Sequence, residues 1–100
     1  MRTACRKDRN HNEIAALFVS LGWSVWDTSQ LKNSADMVVA RCGITIVVEV
    51  KDGLLVPSAR KLTPGEQKFK DSWKGAYEIV EFPGDVLRIS AALFPGRTLN

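Results

Sequence analysis

One hundred residues carrying a net charge of +3 make a single small domain, able to bury about two thirds of the surface its unfolded chain exposes. Hydrophobic residues are 45% and charged residues 25% of the chain, a globular balance that excludes an intrinsically disordered polymer. The isoelectric point near 9.1 permits binding to phosphate backbones without establishing it.

In chain order, residues 1–11 are a basic leader containing Arg2, Arg6, Lys7 and Arg9 and no anchoring apolar residue. They read either as a frayed, solubilising end or as a DNA-contacting arm. The leader lacks the apolar stretch of a signal peptide, and no later run is long enough to cross a bilayer. Cys5 and Cys42 form no CxxC pair and signal neither a zinc site nor a disulfide framework, so the expectation is a soluble cytoplasmic protein.

From Asn12 to Leu21, Ile14, Leu17, Phe18 and Leu21 follow helical spacing and Gly22 supplies the stop. Glu13 stands three residues after Asn10 and reads as the acid of a capping box. Trp23 to Thr28 alternates and predicts a first strand, with Trp23, Val25 and Trp26 read as core and sheet packing rather than as base-stacking platforms. A polar loop follows over Ser29 to Ser34.

The stretch from Asp36 to Lys51 organises the rest. Two β-branched runs, Met37 to Ala40 and Ile44 to Val50, are joined by Arg41-Cys42-Gly43 and predict a tight hairpin. Strand alternation sets Thr45, Val47, Glu49 and Lys51 on one face and Ile44, Ile46, Val48 and Val50 on the other. A two-residue turn at Cys42-Gly43 would pair Arg41 with Ile44 and bring Asp36 opposite Glu49, with Cβ atoms about 4.5 to 5.5 Å apart. A three-residue loop with a glycine bulge would instead pair Asp36 with Val48. The first register makes two like charges converge, which becomes favourable around a hard divalent cation.

Asp52-Gly53 then turns the chain, and Leu54 to Leu62 is a loop in which Arg60 and Lys61 could hold a phosphate or be solvated. Thr63-Pro64-Gly65-Glu66 is a helix start with its own capping box, which makes Glu66 mainly structural. The helix runs to about Lys74, with Phe69 and Trp73 toward the core, Lys68 and Lys70 as candidate phosphate contacts, and Gln67 either solvated or turned toward a cleft. Ala76 to Glu81 predicts a fourth strand, and Asp85 to Leu93 a terminal helix. The fold class is α/β, in the order α-β-β-β-α-β-α, with a mixed four-stranded sheet flanked by helices. The third and fourth strands are expected to be parallel. The domain spans residues 12–94, and 95–100 form a tail.

An acid at a strand start followed by Glu-x-Lys at the end of the next strand, here Ser34-Ala35-Asp36 and Glu49-Val50-Lys51, resembles the PD-(D/E)XK nuclease signature. The following DGLLVPSARKLTPGEQKF, with Gln67 soon after the lysine, resembles the virus-type replication-repair nuclease (VRR-Nuc) branch of that superfamily, whose stand-alone members are short. Archaeal Holliday-junction resolvases are similar through Glu13 in a first helix and the Ser-x-Asp segment. The resemblance runs from Asn12 to Val80 and departs at Ala35, where the superfamily often has Pro. It implies a restriction-endonuclease-like core and Mg²⁺ or Mn²⁺ held by Asp36, Glu49 and the Val50 carbonyl. Lys51 would be catalytic, Glu13 a third acid over the metal, and Gln67 would face the cleft.

The expected activity is metal-dependent, structure-selective DNA cleavage, at four-way junctions or flaps, by a homodimer. Lys7, Arg9, Arg60, Lys61, Lys68 and Lys70 are the candidate DNA contacts. His11 is the only histidine, which leaves histidine-based nuclease or triad schemes resting on one residue. No phosphate-cradling glycine motif is present. The rival readings are a non-catalytic nucleic-acid-binding module, with Glu49 and Lys51 as a surface ion pair on an edge strand, and a small interaction protein with no nucleic-acid affinity.

Overall fold

In a computed structural model of the chain, which describes residues 7–96, the hairpin turn has positive φ at both central residues, 51° at Cys42 and 80° at Gly43. That is type I′ geometry, whose twist matches a two-residue connection between twisted strands. It pairs Arg41 with Ile44, Ala40 with Thr45, Val39 with Ile46, Val38 with Val47 and Met37 with Val48. The bulged alternative is thereby excluded, and the ladder points onward to Asp36 opposite Glu49.

Around the hairpin strands β2 (Met37–Arg41) and β3 (Ile44–Val50) the elements are α1 (His11–Ser20), β1 (Ser24–Asp27), α2 (Pro64–Ser72), β4 (Ala76–Val80) and α3 (Pro83–Leu93), with a 3₁₀ turn at Pro57–Arg60. The sheet order is β1-β2-β3-β4, antiparallel except for the parallel β3-β4 pair. The fold is therefore α/β, α-β-β-β-α-β-α, with a mixed four-stranded sheet and flanking helices, as the apolar patterning predicts. None of the described helices is long and apolar enough to cross a membrane.

One face of the sheet carries the core. Met37 and Val39 of β2, Ile46, Val48 and Val50 of β3 and Val80 of β4 pack with Ile14 and Phe18 of α1, Trp23, and Val86 and Ile89 of α3. Trp23 meets Phe18 and Phe94 edge to face, and its indole N–H donates to the buried Ser90 hydroxyl at 2.9 Å. The pleat sends Trp26, Val38, Val47, Glu49, Tyr77 and Ile79 to the opposite face, where α2 lies.

Several local expectations change. Trp26 is not packed inside but 63% exposed, because its position on β1 puts it on the second face. Trp73 is not a core residue either: it is the C-cap residue of α2, where the backbone leaves the helix for an extended conformation, and 43% of it is exposed. The capping box read at Asn10 and Glu13 does not form. Asn10 is the N-cap residue of α1, but its amide donates instead to the Lys51 and Glu81 carbonyls at 3.2 and 3.1 Å, tying the helix start to the ends of β3 and β4. Of the leader, Asn10 and His11 are buried and α1 begins at His11, while Arg2 and Arg6 lie outside the described residues.

Candidate active site

The end of β3 is where apolar patterning gives way to charge, and the sheet leaves that charge buried. Glu49 is 4% exposed on a strand that has neighbours on both sides. Burial pushes its carboxyl well above the ordinary carboxylate range, helped by a hydrogen bond with Asp36 and by the charges of Asp36 and Glu66. Asp36 is positioned by the hairpin register and by the Val50 N–H, which donates to its Oδ2 at 2.7 Å and so brings the Val50 backbone beside the pair.

Lys51 projects from the same face as Glu49 and is 8% exposed. Its Nζ donates to Glu66 Oε1 at 2.6 Å. Burial acts to lower the Lys51 pKa, but the Glu66 bond and charge prevail and raise it, so Lys51 is an ammonium at neutral pH. Glu66 is held low by Lys51 and by the Thr63 N–H, which outweigh its own burial. The capping box at the start of α2 is present, with the Thr63 hydroxyl accepting from the Glu66 N–H at 3.2 Å and the Thr63 N–H donating to Glu66 Oε1 at 2.8 Å. Glu66 is thus more than the structural cap read from the sequence: one oxygen serves both the helix start and Lys51.

Two further groups belong here that sequence reasoning did not single out. Asp8 sits under the electrostatic influence of Lys51, Asp36, Asp52 and Glu66, and burial raises its pKa. It is brought there by its neighbours: Arg9 forks onto Asp52 at 3.0 and 3.1 Å, and Asn10 clamps the Lys51 carbonyl. Tyr77 of β4 has a buried hydroxyl with no partner among the described residues, and its pKa is raised by burial and by Glu49, Glu66 and Asp36. Asp8 carries no periodic signal in a charged leader. Tyr77 looks like any strand aromatic until β4 is known to lie parallel to β3. Glu66 alone had a signal, its place on the first turn of the helix after the lysine-bearing strand.

A cleft of about 180 Å³ opens between β3 and α2, lined by Asn33, Ser34, Glu49, Thr63, Glu66 and Phe69. Gln67 is not in it. Its amide donates to Asp71 at 2.8 Å on the exposed side of α2, as the turn of the helix past Glu66 requires. Glu13 is exposed on α1, a helix whose packing is on the core side of the sheet, away from the cleft.

The candidate DNA contacts divide in two. Lys7 pairs with Asp27 at 3.0 Å, Arg9 with Asp52, and Arg60 with Glu81 at 3.0 Å, so these three hold the chain to itself. Lys61, Lys68 and Lys70 are exposed and form no ion pair among the described residues. Glu49 and Lys51 do not form a surface ion pair on an edge strand: β3 is central, both residues are buried, and Lys51 bonds Glu66 instead.

Among the described residues no three His, Cys, Asp or Glu side chains are arranged as a metal-binding group. The protein offers two carboxyls, Asp36 and Glu49, and one or two carboxylates are what Mg²⁺ takes when it keeps its waters and shares a substrate phosphate. The donor set therefore fits a hard cation held jointly with substrate. No family model, curated protein or solved structure matches the chain.

Proposed function

We propose that this chain is a Mg²⁺-dependent nuclease that hydrolyses phosphodiester bonds in structured DNA. The observation that supports it is the meeting of Asp36 and Glu49, with Lys51 beside them, on a central strand of the sheet. Burying Glu49 against a second acid is costly unless something positive comes between them, and no hydrophobic packing is gained by placing Glu49 there.

Asp36, Glu49 and the Val50 carbonyl are the oxygens that would hold Mg²⁺ or Mn²⁺. When bound, the ion would polarise the scissile phosphate and acidify a coordinated water. Lys51 is kept protonated by Glu66, so its part is that of a cation offsetting charge on phosphoryl oxygens, not of a general base. Glu66 holds the ammonium in place until substrate arrives, and its own bond to the Thr63 N–H anchors that geometry to the start of α2. Lys61, Lys68 and Lys70, uncommitted and exposed, supply the backbone contacts. A substrate cut on two strands calls for two such sites, which a two-fold homodimer provides.

The test incubates the purified chain with labelled junction, flap, single-stranded and linear duplex DNA in Mg²⁺, Mn²⁺ or EDTA. Asp36→Ala, Glu49→Ala and Lys51→Ala are each expected to slow cleavage by about 10²- to 10³-fold or more, with the far-UV circular dichroism unchanged. Cleavage that persists in Asp36→Ala, or in EDTA, defeats the proposal.

A further inference from the structure

Bordering the carboxyl cleft, the aromatic end of α2 has no structural explanation. Phe69 lines the cleft beside Glu49 and Glu66 and also an adjoining cavity of about 290 Å³ with Asn33, Lys68 and Ser72. Its ring is stacked on Trp73, with centroids 5.6 Å apart and planes 13° from parallel, and Tyr77 lies tilted by 41° with its centroid 6.3 Å away. These rings take no part in the core on the far face of the sheet.

Trp73 is held rigidly and yet left open. Its indole N–H donates to the Ala76 carbonyl at 3.1 Å. It also lies so close to Gly75 that a Cβ there would come within 2.9 Å of Nε1. An indole fixed by its polar edge, stacked on one aromatic and 43% exposed, has lost its conformational freedom already, so a planar ligand laid on it has little entropy left to overcome. Lys68 lines the cavity with Phe69, and Lys70 and Lys74 flank Trp73 in the chain; all three are exposed and without an ion pair among the described residues. A planar apolar platform on a helix that carries unpaired ammoniums complements a chain that alternates flat bases with phosphates.

We propose that the Phe69–Trp73 stack is a platform for unpaired nucleobases, so that the occupant of this surface is a single-stranded segment of nucleic acid running from the carboxyl cleft along α2. This rests on the nuclease reading for its direction, and it deepens that reading: the substrate carries an unpaired strand next to the scissile bond, as a flap or frayed junction arm does. A continuous duplex keeps its bases stacked on each other and has none to lend to an indole.

Binding measured without catalysis separates the two readings. Fluorescence anisotropy in EDTA, with a labelled oligothymidylate and a linear duplex of equal length, compares the wild type with Trp73→Leu and Trp73→Phe. Trp73→Leu is expected to bind the oligothymidylate about tenfold more weakly or worse, with duplex affinity changed less than about twofold. Trp73→Phe, which keeps a π face, is expected to recover most of the loss. Thermal melting checks that each variant folds, and should Trp73→Leu not fold, the Phe variant must still favour single strand over duplex as the wild type does. Equal losses on both DNAs, or none on either, overturn the platform. So does sedimentation showing a wild-type dimer that Trp73→Leu dissolves, because a second copy would then be the occupant. If the platform behaves as expected while the chain cuts no DNA, the nuclease reading falls and the platform stands.

Discussion

The two faces of this sheet are built from the same four strands and are opposite in kind. On the α1/α3 face the packed centre is apolar, and the polar groups around it are tied to partners: Trp23 to Ser90, His11 to Asp27 and Glu78 to Arg88, with His11 Nδ1 a buried atom there that has no partner among the described residues. On the α2 face the same strands bury Glu49 against the half-buried Asp36, the Lys51 ammonium and a Tyr77 hydroxyl without a partner among the described residues, while Trp26 of β1 and Trp73 at the end of α2 stand open to solvent. The first face is what a chain of this length needs in order to fold. The second includes features that cost stability, and cost without structural return points to function.

Mutation should therefore hurt stability on one face and binding or chemistry on the other. The largest stability effect is expected from Phe18→Ala, about 3–5 kcal/mol by chemical denaturation, because the ring is fully buried and its site has little room to collapse. Phe69→Ala on the second face should cost only about 1–2 kcal/mol, since that ring is half-buried. Equal costs would break the contrast.

A second test uses pH. The Glu49 carboxyl is raised from 4.5 by burial and then by Asp36, so the folded chain keeps a proton that the unfolded chain has released. Its contribution is therefore complete in acid and is lost as pH climbs from the unfolded carboxylate range toward the raised folded value. The lowered carboxyls of Asp27, Asp52 and Glu66 have the opposite sign, and their contribution is already complete above that range. In EDTA, the melting temperature of the wild type is expected to fall between about pH 6 and pH 9, and Glu49→Gln to flatten the curve. A wild-type curve as flat as the variant's would show that Glu49 carries no such proton.

The smallest expected effect sharpens the register on which both faces depend. Cys42 holds φ at 51°, a region that side chains other than Asn and Asp enter reluctantly. Cys42→Asn should raise stability by about 0.5 kcal/mol, read as a small increase in melting temperature. A decrease would argue against the type I′ turn.

The alternation of Met37 to Val50 and the helical spacing of Ile14, Phe18, Val86 and Ile89 were legible in the chain, because a period of two or 3.6 is a local property of the residues. So was the Thr63 capping box, which spans three residues. The hairpin register was legible only as two alternatives, and the left-handed φ at a cysteine decided between them. Asn10 and Trp73 misled for a related reason. Asn10 has the right type for a helix cap, but carbonyls 41 and 71 residues away offered its amide two bonds instead. Trp73 has core-like spacing on a helix whose second face has no further layer to receive it.

The amino-acid order by itself determined the elements, their sequence along the chain and the face on which Glu49 and Lys51 emerge, since each follows from short-range periodicity and turn chemistry. Tertiary structure alone decided that Asp36 meets Glu49, that Glu66 rather than Gln67 reaches Lys51, and that Asp8 and Tyr77 join them. Those proximities depend on strand register, on where α2 is laid across the sheet and on long-range bonds such as Asn10 to Lys51, which no local pattern encodes.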